Sequence, residues 1–148
     1  MDKQLSMQTG FSVIHRHGRI MHDRAVKHFG LTGQQMGYLK YINENPGTSQ
    51  EEMAKAMRID KGAVAKAIKD MDDKGYVRRD QNPHDKRAYC IFPTEKAQQV
   101  ARCGENHAAE FERQLTEGMT EEEIQQFKLL LEKITDNMAK ILERGNDI

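Results

Sequence analysis

Between Thr48 and Phe92 the chain is punctuated so closely that few arrangements can use it. Ser49 followed by Glu52 makes a capping box, the hydroxyl taking the N3 backbone N–H and the carboxylate returning to the cap. The helix it opens has only Met53, Ala54 and Met57 as an apolar stripe. Asp60 is a second good N-cap, after which Val64, Ala67, Ile68 and Met71 recur at helical spacing until Gly75 stops the segment. Two stretches rich in aromatic and β-branched residues follow, from Tyr76 to Arg79 and from Ala88 to Phe92. They bracket Gln81, Asn82, Pro83, His84, Asp85, Lys86 and Arg87, which predicts a hairpin with a polar tip.

Helical patterns flank this unit. Upstream, Phe11, Ile14, Gly18, Met21, Ala25 and His28 mark one helix face, Gly30 ends it, and Thr32 caps a second helix carrying Met36, Leu39 and Ile42 as far as Asn45-Pro46-Gly47. Downstream, Thr94 opens a helix with Val100, Gly104, Ala108, Phe111 and Leu115, interrupted at Gly118. Thr120 and Glu123 then form another capping box, and Ile124, Phe127, Leu130, Leu131, Ile134, Met138, Ile141 and Leu142 keep three-to-four spacing over five turns. That last stripe asks for a partner. With 148 residues there is no room for a multidomain enzyme, and 31% charged residues, above a norm of roughly 25%, suit an elongated helical subunit that completes its core against a second copy.

The expected fold is mainly α, a winged helix-turn-helix with a small β-hairpin wing, its N- and C-terminal helices forming an intertwined homodimer interface. The expected divisions are 1–30 for an N-terminal dimerisation helix, 31–93 for the winged unit with its wing at about 76–93, and 94–148 for C-terminal dimerisation helices. In this arrangement the second short helix enters the major groove of double-stranded DNA and the hairpin reaches along the backbone. With Val64, Ala67, Ile68 and Met71 inward, the outward face presents Gly62, Ala65, Lys66 and Lys69, with Lys61 and Ala63 at the N-terminal end. Small side chains let the helix backbone approach the groove, lysines reach guanine acceptors, and an alanine methyl packs on a thymine methyl. Lys86 and Arg87 at the tip suit phosphate or the minor groove. Taken singly, each of these lysines would equally suit an ordinary solvated face.

Zero net charge conceals a split. Residues 1–47 sum to +3, 48–93 to +2 and 94–148 to −5, so the front of the chain is basic and the rear acidic. Two cysteines, Cys90 and Cys103, make no disulfide framework and fit a reducing compartment. The polar start and the lack of a long apolar run predict neither signal peptide nor membrane span, with the cytoplasm as the expected location.

From Leu31 to Lys96 the sequence resembles the winged-helix region of the multiple antibiotic resistance regulator (MarR) family. The resemblance is carried by Asp85, Arg87 and Thr94, in the pattern Asp-x-Arg, strand, then Thr opening a helix, joined to the KGYVRR stretch from Lys74 to Arg79. It implies a dimer whose first and last two helices build the interface and whose two winged helices grip a palindromic operator. For the wing it implies that the Asp85 carboxylate orients the tip while the Arg87 guanidinium contacts DNA. Two departures stand out: Arg58 occupies the inter-helix turn where relatives often carry Gly, and KGAVAK lacks the hydroxyl residues common in the recognition helix.

The resemblance also implies control by a small molecule, often an aromatic or lipophilic acid, bound between the dimer helices and the winged part. Ser12, His15, Arg16 and Arg19 of the first helix with Met36 and Tyr38 of the second would supply apolar walls and cations for it. No cofactor is expected. A metal-responsive, zinc-type regulator of the same fold is an alternative, since Cys103 and His107 form an i, i+4 pair and His15, His17, His22 and His28 crowd the first helix. A winged-helix protein-interaction module without operator binding is another, disfavoured by cations aligned on both helix and wing. No nucleophile with its base and no carboxylate pair in a cleft is recognisable, so an enzyme is not expected; Glu121, Glu122 and Glu123 suit a helix N-terminus instead.

Overall fold

The computed structural model describes residues 5–145, which form six α-helices and one hairpin. In chain order these are α1 (Met7–Val26), α2 (Gly33–Glu44), α3 (Gln50–Met57), α4 (Lys61–Asp73), β1 (Val77–Gln81), β2 (Tyr89–Pro93), α5 (Glu95–Leu115) and α6 (Glu121–Gly145), with a 3-10 turn at Lys27–Phe29. The chain divides into two compact units, the first up to Ala108 and the second from Ala109. The outermost residues of the expected dimerisation segments, 1–4 and 146–148, lie outside the described residues.

In the first unit the caps act as the sequence pattern requires. Ser49 and Glu52 exchange their hydrogen bonds at 3.1 and 2.8 Å, and Asp60 Oδ1 accepts from the Ala63 N–H at 3.0 Å. Thr32 goes further than a simple cap, because Gln35 returns its side-chain oxygen to the Thr32 N–H and closes a second box. The core gathers around Leu39, Ile42, Met53, Val64, Ile68, Met71 and Ile91, all without solvent exposure. A network ties α2 to the end of α4: Gln35 Nε2 donates to Asp70 at 2.6 Å, and Lys74 Nζ reaches both Asp70 and the Gly30 carbonyl at 2.7 Å. The Lys74 ammonium, with Gln35 second, holds the Asp70 carboxyl below its usual range.

The strands run further than composition alone suggests. Asp80, just past the expected stretch, and Gln81, expected at the tip, continue β1, and the register pairs Val77 with Pro93 through to Gln81 with Tyr89. Pairing accounts for this: Arg78 and Asp80 share one strand face and form a bidentate contact at 2.9–3.1 Å, while Gln81 Nε2 donates to the Lys86 carbonyl. β2 is also joined on its other side, where Ile91 exchanges backbone hydrogen bonds at 2.8 Å with Gly47 and Thr48, just ahead of α3.

Arg58 closes α3 in the left-handed region at φ 55° and ψ 45°, with the N–H groups of Arg58 and Ile59 turned back on the Lys55 and Ala54 carbonyls. A residue with a Cβ is strained there by about 1–2 kcal/mol. Arg58→Gly is therefore expected to stabilise the chain by about 0.5–1 kcal/mol after the added freedom of the unfolded glycine is subtracted. Urea denaturation checks this, and a lower midpoint for the glycine variant would contradict it.

In the second unit, Thr120 and Glu123 form the expected box at 3.2 and 2.8 Å. Lys128 of α6 pairs with Glu112 at 2.6 Å. None of the described α6 side chains is buried: Phe127, Leu130, Leu131, Met138, Ile141 and Leu142 are all exposed in the single chain. The apolar face of α1 behaves alike, with Phe11, Ile14 and Met21 exposed and Gly18 buried.

Candidate nucleic-acid interface

The two faces of α4 decide which side chains are available. Val64, Ile68 and Met71 fix the helix to the core, and Lys61, Gly62, Ala63, Lys66 and Lys69 are left exposed. Ala65, expected on the same outward face, is half-buried, because one step of about 100° from Val64 sets it on the flank. Lys61 Nζ lies 3.6 Å from Glu51 of α3, and Lys69 Nζ 2.8 Å from Asp73. Both pairs stand in water, where such contacts contribute about 0–1 kcal/mol, so a phosphate can displace either carboxylate. The Asp73 hydrogen bond raises the Lys69 pKa and keeps that ammonium charged. Lys66 has no ionic partner among the described residues.

At the wing tip, Asp85 Oδ1 accepts from the Arg87 backbone N–H at 2.9 Å, and the Asp85 carbonyl accepts from the Ala88 N–H at 3.0 Å. The carboxylate thus engages the main chain of Arg87, leaving its guanidinium directed to no carboxylate among the described residues. Asn82 accepts from the His84 N–H and completes the turn. Lys86 and Arg87 are both exposed.

The base of the wing holds contacts that the pattern reading did not foresee. Arg79 Nε donates to Asp72 at 2.8 Å in a half-buried pair that ties β1 to the last turn of α4, and its guanidinium also lies over the Tyr89 ring. Thr94 does more than precede α5, donating its hydroxyl to the Gly75 carbonyl at 2.7 Å. Lys96 donates to the Lys74 carbonyl at 2.8 Å and covers the Tyr76 ring. Together these contacts fix the hairpin relative to α4. The signal for Arg79 and Asp72 was present as opposite charges bracketing the Gly75 turn, though nothing local says that they meet.

A cavity of about 230 Å³ opens between α1, α2 and α5 within the first unit, lined by Met36, Gly37, Lys40, Gly104, Glu105 and His22 among others. Of the six residues proposed from sequence for a ligand, only Met36 lines it. Tyr38 is 1% exposed and belongs to the core, where its hydroxyl finds no partner among the described residues and burial pushes its pKa up. Ser12, His15, Arg16 and Arg19 are exposed on α1 and do not line this cavity. The cation that does is Lys40, one helical turn after Met36 and legible from that spacing. Glycines admit the close packing here: a Cβ on Gly104 would lie 2.8 Å from Met36 Sδ.

His107 meets His22 of α1, Nε2 to Nδ1 at 3.0 Å, while Cys103 Sγ lies 3.9 Å from the Ala25 carbonyl. No group of three metal-binding side chains that includes Cys103 and His107 converges among the described residues. No described helix is long and apolar enough to cross a membrane.

Comparison with known proteins gives concordant results. Residues 29–88 match the sequence profile of the MarR family. The chain is 32% identical over 127 residues to the uncharacterized HTH-type transcriptional regulator YybA of Bacillus subtilis (strain 168), covering 81% of this chain and 82% of that one. Its backbone is similar to that of a MarR family regulator from Listeria monocytogenes crystallised with a 26mer DNA, at 29% identity and a TM-score of 0.84 over 91% of this chain and 90% of that one. A MarR transcriptional regulator from Methanosarcina mazei Go1 matches at 27% identity and a TM-score of 0.83, covering 91% and 97%.

Proposed function

The chain belongs to the MarR family, a family of DNA-binding transcriptional regulators and not of enzymes, and from that premise we propose that it is a homodimeric repressor of palindromic operators released by a small aromatic or lipophilic ligand. The observation that carries the DNA-reading part is the pairing of two cationic surfaces on one rigid frame. Lys61, Lys66 and Lys69 line the outer face of α4, with Gly62 and Ala63 permitting close approach and Ala65 at the flank. Lys86 and Arg87 extend the cationic surface at a tip whose shape Asp85 holds. The Arg79–Asp72 pair and Thr94 keep the wing fixed against α4, so helix and hairpin engage DNA as one body.

Segments 1–30 and 94–148 supply the dimer seam and 31–93 the reading head, acting in the cytoplasm, where the operator is. The unpartnered apolar faces of α1 and α6 support the seam. Release works by population shift: a ligand that favours a spacing of the two recognition helices unlike the roughly 34–36 Å between half-sites lowers the operator-competent fraction. The cavity beside Met36 and Lys40 supports such a ligand and offers an ammonium for a carboxylate.

Fluorescence anisotropy on DNA upstream of the protein's own gene, against a scrambled duplex at matched salt, tests the reading. A preference of about a thousandfold is expected, and no binding to any duplex at low salt would reject it in favour of the protein-interaction alternative. Arg87→Ala is expected to weaken operator binding by about 1–3 kcal/mol. Unchanged affinity would remove the wing from the mechanism.

A further inference from the structure

We propose that His22 and His107 form a two-imidazole clamp for a divalent cation of the zinc class. The two residues are 85 apart in sequence, on α1 and α5, and their facing nitrogens stand 3.0 Å apart with the rings nearly perpendicular at 85°. Two imidazole nitrogens bound at 2.0–2.1 Å to one tetrahedral ion stand about 3.3 Å apart, so seating a cation asks for a few tenths of an ångström. At this distance one ring donates an N–H to the other as an N–H···N hydrogen bond.

The surroundings fit an open site. Burial, and after it the neighbouring His107, lower the His22 pKa against the opposing pull of Asp23. His22 also lines the cavity of about 230 Å³, which has room for metal-bound water and counts Glu105 among its lining residues. Lys40 on the same wall opposes a cation and keeps the affinity modest. No third metal-binding side chain converges among the described residues, so water fills the remaining positions. A bound ion ties α1 to α5 beside the cavity. The site stands independently of operator binding.

The test uses the untagged full chain without DNA, titrated calorimetrically with zinc chloride. One ion per chain is expected near neutral pH. His22→Gln and His107→Gln should each weaken it at least about tenfold, whereas His15→Gln and His84→Gln should not. Because either clamp variant could unfold, imidazole NMR of the unmodified protein supplies a second readout, in which zinc must shift the His22 and His107 signals. Absence of saturable zinc binding, equal affinity in the clamp variants, or shifts confined to the other four histidines would each overturn the proposal.

Discussion

Removing residues 138–148 is expected to turn the proposed homodimer into a monomer and to cost operator affinity at least about a thousandfold. The deletion takes away Met138, Ile141 and Leu142, which are 54%, 59% and 62% exposed in the single chain. Burying each such side chain against a partner contributes about 1.5–3 kcal/mol, so the three together supply much of what a stable dimer needs. The winged unit should keep its helical content and thermal transition, because these side chains contribute nothing to its buried core. A monomer retains one recognition helix for one half-site and forfeits the simultaneous engagement of two. Light scattering reads the first half of the expectation and anisotropy the second. A truncated chain that stayed dimeric would place the main seam elsewhere, with the exposed face of α1 as the remaining candidate.

Gly33→Ala is expected to destabilise the chain by about 2–3 kcal/mol. A methyl at this first position of α2 would stand 2.4 Å from His22 Cβ and 3.0 Å from the His22 carbonyl carbon. The second of those atoms is main chain and cannot swing aside. α1 would have to retreat, and the hydrogen bond from the Gly33 N–H to Asp23 at 2.8 Å would be strained with it. The same substitution at Gly37, where a Cβ meets nothing within 4 Å, should be neutral or mildly stabilising in mid-helix. Chemical denaturation of the two variants side by side makes the comparison, and equal midpoints would show that the close approach at Gly33 relaxes without cost.

Much of the winged unit was legible because its signals are local. A capping box spans four residues, a helix face repeats within two turns, and a polar run between β-branched stretches is a hairpin in any context; Ser49, Asp60, the Val64–Ile68–Met71 stripe and the wing all fall in this class. Position 58 was legible too, since a turn that relatives fill with glycine leads to the positive φ found for Arg58. Local pattern failed where a residue's role depends on what arrives from far along the chain. Tyr38 looked like a wall for a ligand and is core, because α2 is covered on that side as well. Cys103 and His107 share a helix face, yet His107 reaches across to His22.

What the sequence by itself determined is the order and type of the elements, their ends, the cationic face of α4 and the charged wing tip, because backbone capping and side-chain periodicity act over a few residues. Only the tertiary structure decided that Arg79 pairs with Asp72, that Thr94 bonds back to the base of the wing, that the cavity takes its cation from Lys40 and not from α1, and that two histidines from distant helices face one another. Those outcomes depend on which helix surfaces approach and how closely, and that distance is set by glycines such as Gly33 and Gly104, whose missing side chains carry no periodic signal of their own.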